Sequence, residues 1–79
     1  MNKEKLEELL FNDLKNEPLG NCLDTVEVVD FDDTEIPIYF EAVASYSALV
    51  LDKEIELNIV IRGRVINEDE YEVEDLYIE

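Results

Sequence analysis

Between Phe40 and Val65, apolar and polar residues alternate in two runs that match one another when the chain is folded back on itself. A period of two sends successive side chains to opposite faces of a strand, so this stretch reads as a long β-hairpin. With the tip at Asp52 and Lys53, Val50, Ala48, Tyr46, Ala44, Ala42 and Phe40 lie opposite Ile55, Leu57, Ile59, Ile61, Gly63 and Val65, a nearly continuous apolar surface. On the other, wetter face Leu49 meets Glu56, Ser47 meets Asn58, Ser45 meets Val60, Val43 meets Arg62 and Glu41 meets Arg64. A slip of one residue would set apolar against polar side chains, so the pattern selects the faces. A helix through Ala42 to Leu51 is the competing reading, but the β-branched run after it needs a partner strand.

The remaining elements fit around this hairpin. Leu6, Leu9, Leu10, Phe11 and Leu14 recur at the three- and four-residue spacing of an amphipathic helix, expected over residues 3–16. Asn2 is its N-cap, and Pro18 with a left-handed Gly20 stops it. Strands are expected at 24–31, 36–51, 54–67 and 71–78, with Asp32, Asp33 and Thr34 forming one turn and Asn67 to Glu70 another. Adjacent Val28 and Val29 break the alternation of the first strand and call for a bulge or two-sided burial. The last strand has two registers. With a tip at Glu68 and Asp69, Ile61 faces Leu76, Ile59 faces Ile78, Arg62 faces Asp75, and Tyr71, Val73 and Tyr77 point away from the helix beside Val43, Val60 and Ile66. The shifted register buries the tyrosines and exposes Leu76 and Ile78. The fold class is α+β, a single domain in which one N-terminal helix packs on a four-stranded antiparallel meander through Leu6, Leu10 and Leu14.

Charge narrows the function. The 79 residues carry 22 Asp and Glu against 6 Lys and Arg and no His, a formal net charge of -16. Direct nucleic-acid binding through a basic patch is excluded, because phosphate contacts need Lys and Arg. A hydrophobic fraction of 47% is too high for a disordered acidic tail, so a folded domain is expected. Cys22 is a lone cysteine, which precludes an internal disulfide and, with no His, the common zinc constellations; it reads as a small buried apolar residue. The Leu-rich stretch near the N-terminus is interrupted by Glu7, Glu8 and Asp13, and the uncharged run from Ala42 to Leu51 is short, so neither a secretory h-region nor a membrane span is expected, and the expected location is cytoplasmic.

No motif names a reaction. With no His, no Gly-rich phosphate loop and only Gly20 and Gly63, no enzyme and no cofactor are expected. Asp30, Asp32, Thr34, Ile36 and Glu41 fall at calcium-loop spacing, but Glu35 stands where that loop needs glycine, so the segment reads as an acidic β-turn and no metal is assigned. Arg62 and Arg64 are expected to neutralise cross-strand acids such as Glu41 and Asp75.

The carboxylates cluster through Asp24, Glu27, Asp30, Asp32, Asp33 and Glu35 and again through Glu68, Asp69, Glu70, Glu72, Glu74, Asp75 and Glu79. Clustering destabilises a small fold by self-repulsion. Alternate carboxylates on a strand, such as Glu72 and Glu74, stand about 6.5 Å apart, near the spacing of phosphates along a nucleic-acid strand. The bland reading is that they keep a small sheet soluble and guard its edges.

In size, charge and layout the chain resembles the small acidic inhibitors that phages encode against host defence and repair nucleases: DNA-mimic anti-restriction proteins, uracil-DNA glycosylase inhibitors and anti-CRISPR proteins. The resemblance is at the level of class, spans the whole chain as composition and carries no residue role across. It implies a stoichiometric inhibitor that occupies the nucleic-acid channel of an enzyme through an acidic rim and an aromatic anchor. Tyr39, Tyr71 and Tyr77 beside Glu41, Glu72 and Asp75 suit that mode. The expected partner is therefore a basic protein surface, met by Tyr39, Glu41, Tyr71, Glu72, Glu74, Asp75 and Tyr77 together with the Glu68, Asp69 and Glu70 turn. The alternative is a structural or regulatory module that forms a homodimer or larger assembly through its sheet.

Overall fold

The structure, a computed structural model, describes residues 1–79. Helix α1 (Lys3–Lys15) is followed by a short 3-10 turn (Gly20–Cys22) and by strands β1 (Leu23–Phe31), β2 (Tyr39–Val50), β3 (Lys53–Val65) and β4 (Tyr71–Ile78). All neighbours pair antiparallel in the order β1-β2-β3-β4, so the expected α+β meander is the fold. The Asn2 side chain caps α1 by accepting from the Lys5 amide at 2.8 Å. Leu6 and Leu10 are fully buried, and Leu14 packs at the margin of the core. At the other end the structure corrects one expectation: no glycine has positive φ, so Gly20 is not left-handed. It is needed for close approach, since a Cβ there would lie 2.0 Å from the Lys15 carbonyl oxygen.

The central hairpin keeps its expected faces but not its expected partners. Its loop is Leu51 and Asp52, closed by a Val50–Lys53 pair, so every pairing is displaced by two residues. Glu41 lies opposite Arg62, Val43 opposite Val60, Ser45 opposite Asn58, Ser47 opposite Glu56 and Leu49 opposite Glu54. A two-residue slip leaves each side chain on its own face, so alternation is blind to it. Local fit decides instead. Val43 meets Val60 rather than a guanidinium, and Phe40 lies over Gly63, where a Cβ would come within 2.9 Å of its ring.

Bulges settle the outer strands. β1 skips Val29, as the Val28–Val29 pair anticipated, so that Val28 packs in the core opposite Ala42 while Asp30 pairs with Glu41 on the other face. β4 combines the two registers considered for it. Ile78, Tyr77, Leu76 and Asp75 pair with Ile59, Val60, Ile61 and Arg62, after which the ladder shifts past Glu74 and Val73, Glu72 and Tyr71 pair with Gly63, Arg64 and Val65. The shift turns Tyr71 and Val73 to the helix side, contrary to the register that placed them on the far surface; only Tyr77 stays there. Tyr71 then reaches the core edge-on to Phe40, with centroids 6.1 Å apart at 83°, and donates to Asp13 of α1. β2 begins at Tyr39 rather than at residue 36 because Pro37 has no amide for the ladder.

The core is small. Twelve residues are buried, and nine of them form one cluster between α1 and the upper half of the sheet. The β2–β3 hairpin runs on past the ends of β1 at Tyr46 and β4 at Ile59, which draws the molecule out to 47 × 21 × 18 Å. No helix is long and apolar enough to cross a membrane.

Two substitutions test this register. Gly63→Ala should cost about 3 kcal/mol in denaturant unfolding, because the new methyl meets both the Phe40 ring and, at 2.1 Å, the Glu72 carbonyl oxygen. Leu51, at φ 51°, is fully in solvent, so Leu51→Asn should stabilise by roughly 0.5–1 kcal/mol by relieving left-handed strain.

The open sheet face as a candidate partner interface

The face of the sheet away from α1 is uncovered. Register places Glu27, Asp30, Glu41, Glu54, Glu56, Glu72 and Asp75 on it, and the bond from Ser47 adds Asp24, against Arg62 and Arg64 as its only cations. Through its middle runs an apolar strip in which Val43, Val60 and Tyr77 are direct cross-strand neighbours. These groups shelter one another well enough to bury Val60 to 5% exposure with no second layer above it. Tyr39 and Tyr77 remain 55% and 40% exposed. An apolar, aromatic centre within a charged rim is the anatomy of a protein-binding patch.

Both arginines are held by carboxylates. Arg62 Nε donates to Glu41 Oε1 at 2.7 Å while its guanidinium carbon stands 5.5 Å from the Tyr77 ring centroid, and Arg64 Nη2 meets Glu72 Oε2 at 2.9 Å. These bonds raise both guanidinium pKa values above their ordinary range, the hydrogen bond to the carboxylate being the main cause in each. Asp75 lies across from Arg62 without bonding to it, so the expected neutralisation of Glu41 occurs and that of Asp75 does not extend to an ion pair. Ser47 Oγ donates to Asp24 Oδ2 at 2.6 Å, a neutral partner that leaves the charge in place.

At the upper end the face holds a shallow hollow of about 470 Å³ that touches all four strands. Asp30 of β1, Tyr39 and Glu41 of β2, Arg62 of β3 and Glu74 of β4 line it. Two bulges bring this set together: the one at Val29 sets Asp30 beside Glu41, and the one at Glu74 points that side chain inward. Around the Arg62–Glu41 pair the hollow offers the carboxylates of Asp30 and Glu74 and the Tyr39 phenol, which suit a cationic side chain with an apolar stem.

The residues expected at the interface thus divide. Tyr39, Glu41, Glu72, Glu74, Asp75 and Tyr77 belong to the open face. Tyr71 does not, because the bulge withdraws it to the helix side, where burial and then the bond to Asp13 push its phenol well above the ordinary range. Glu68, Asp69 and Glu70 sit in the β3–β4 turn at one end, and two of them fasten α1: the N-terminal ammonium meets Glu68 Oε1 at 2.6 Å and Lys5 Nζ meets Asp69 Oδ1 at 2.8 Å. Glu70 accepts from the Asn67 side chain at 3.0 Å within the same turn. Sequence reasoning put Glu56 on this face but named none of Glu27, Asp30, Glu54 and Glu56 as interface residues; for Glu27 and Asp30 the β1–β2 register was the missing signal. The acidic turn is local, with Asp32 accepting from the Thr34 amide at 3.0 Å, and no group of three or more His, Cys, Asp or Glu is arranged to hold a metal ion.

No family model, curated protein or solved structure matches this chain.

The turn contacts carry a pH signature. Glu68 and Asp69 are held below their ordinary values of 4.5 and 3.8, Glu68 chiefly by its hydrogen bond to the N-terminal ammonium and Asp69 by its bond to Lys5, while Lys5 is held above 10.5. A lowered carboxylate stabilises fully above its unfolded value and loses that contribution as pH falls through the folded one; the raised ammonium loses its share as pH rises through its folded value. The expected outcome is progressive release of the turn from α1 as pH falls below the ordinary carboxylate values of 4.5 and 3.8, and loss of the Lys5–Asp69 contact as pH rises beyond 10.5, with the sheet still paired, read from NMR shifts of Lys5, Glu68 and Asp69.

Proposed function

We propose that the chain is a non-enzymatic acidic binding protein whose open sheet face engages a basic protein surface, in the manner of a nucleic-acid mimic that inhibits a nuclease or defence complex. The observation that carries this reading is the concentration of carboxylates, only two of them paired with arginine, around exposed Tyr39 and Tyr77 on a face that nothing covers. Glu54 and Glu56 alternate along β3 at the strand spacing of about 6.5–7 Å, close to that of phosphates on one nucleic-acid strand, and so supply the regular row that the bulge at Glu74 denies to β4. Tyrosines at the centre supply anchoring area, and the surrounding field speeds encounter with a cationic surface. The same field disfavours an anionic partner, including nucleic acid itself.

Self-association through the sheet is the competing reading, and salt separates the two. A cationic partner is released as ionic strength rises, whereas sheet-to-sheet contact persists or tightens as repulsion is screened.

The test is capture of basic proteins from an extract on the immobilised chain, followed by elution along a salt gradient from about 50 to about 200 mM, a range over which multi-phosphate mimicry should lose most of its affinity. Glu27→Gln with Asp30→Asn and Glu56→Gln should weaken capture roughly tenfold, while the helix control Glu4→Gln with Glu7→Gln and Glu8→Gln, an equal change in charge, should weaken it no more than about twofold. Equal losses from the two variants, or a protein that captures nothing at low salt, would overturn the proposal.

A further inference from the structure

The helix-side face of the sheet is only partly covered. Leu6 and Leu10 close the layer over β1 and the upper part of β2, but the lower parts of β3 and β4 carry apolar side chains with nothing above them: Leu76 and Ile78 are 54% and 66% exposed, and Ile55 is 52% exposed. The pairs Ile61–Leu76, Ile59–Ile78 and Ala48–Ile55 join them into one surface. Beside it lies an apolar hollow of about 150 Å³ between Leu19, Tyr46 and Leu57.

Its dimensions and charge define what fits. Strands stand about 4.8 Å apart and a helix is about 10 Å across, so four strands have room for two helices side by side. α1 fills one of those places. The only charge that register puts on this surface is Lys53 at the hairpin tip. Its rim is acidic. Asp13 stands there, bonded to Tyr71, and Glu17 stands near the Tyr46 hydroxyl, whose pKa is raised by burial and then by that carboxylate.

We propose that this vacant half-layer docks an amphipathic helix of a partner protein, apolar along one stripe and cationic along its flanks, lying beside α1. Apolar surface of this extent left open on a domain with twelve buried residues marks an interaction site. A helix laid in the groove extends the existing layer, and its cationic flanks meet Asp13 and Glu17. A second copy of the chain suits the surface less well. A two-fold contact would set these carboxylates near their own counterparts, on molecules that each carry -16. The docking site lies on the opposite side of the sheet from the open acidic face and does not depend on that face having a function.

The test titrates the intact chain, labelled at Ile, Leu and Val methyls, with a synthetic peptide of ~16 residues bearing Leu at i, i+3, i+4 and i+7 spacing and Lys elsewhere. A scrambled peptide of the same composition is the control. The expected result is shifts at the Leu57, Ile59, Leu76 and Ile78 methyls, affinity at least tenfold above that of the scrambled peptide, and a loss of about tenfold in the Ile78→Ser variant, whose exposed position leaves the rest of the spectrum unchanged. Equal binding of the two peptides would reduce the effect to charge alone and overturn the proposal. So would shifts confined to the Val43 and Val60 methyls of the open face, or a free chain that sediments as a dimer with the Ile78 methyl already protected. Because the two faces report through different methyls, failure here is distinguishable from failure of the open face to bind cations.

Discussion

Phe40 resting over Gly63 is the contact on which the rest of the molecule is arranged. On one side the missing Cβ admits the phenyl ring; along the sheet it admits the Glu72 carbonyl, and with it the register shift in β4. From that point follow the pairing of Glu41 with Arg62, the sheltered Val43–Val60 pair, and the turning of Tyr71 toward Phe40 and Asp13. A single glycine in a strand is ordinarily a weakness. Here it lets the central hairpin be apolar on one side and charged on the other while its edge strand serves both.

Electrostatics in a chain this acidic is governed by where the few cations go. Arg62 and Arg64 stitch strands together across the open face, and Lys5 and the N-terminal ammonium tie α1 to the β3–β4 turn. Lys15 turns inward, over the Phe11 ring and toward the Leu23 carbonyl. Apart from the Lys15–Phe11 contact within α1, each of these joins separate parts of the chain. The remaining carboxylates of the open face have no cationic partner within the molecule and lie within a Debye length, about 8–10 Å, of one another along their strands. Their mutual repulsion opposes folding in a domain with a small core. Stability therefore gives no reason for keeping them on one face.

Much of the architecture was legible in the sequence because it depends on periodicity. The Leu6, Leu10 and Leu14 spacing gave the helix, alternation from Phe40 to Val65 gave the hairpin and its faces, and the Val28–Val29 doublet gave a bulge. What periodicity could not resolve was any displacement that preserves a face, so the tip was placed at Asp52 and Lys53 instead of Leu51 and Asp52. Asp is a common turn residue and an exposed left-handed Leu is not, which hid the true loop. The β4 bulge was illegible for another reason: two acidic residues, Glu74 and Asp75, both tolerate solvent, so nothing in their chemistry marks which one leaves the ladder. That single ambiguity accounts for Tyr71 being expected on the wrong side. It also concealed the hollow shared by Asp30, Tyr39, Glu41 and Glu74, which exists only when both bulges are in place.

The central claim is that the unpaired open-face carboxylates serve something outside the fold and are a burden within it. Thermal unfolding of the isolated chain, followed by circular dichroism for the parent and for a variant with Glu27, Asp30, Glu54 and Glu56 changed to their amides, addresses this directly. The account predicts a melting temperature several degrees higher in the variant at low salt, with the difference shrinking toward zero near 1 M salt, where the screening length falls to about 3 Å. A variant that melts lower than the parent at low salt would mean that these carboxylates hold the sheet together, and the account would be contradicted.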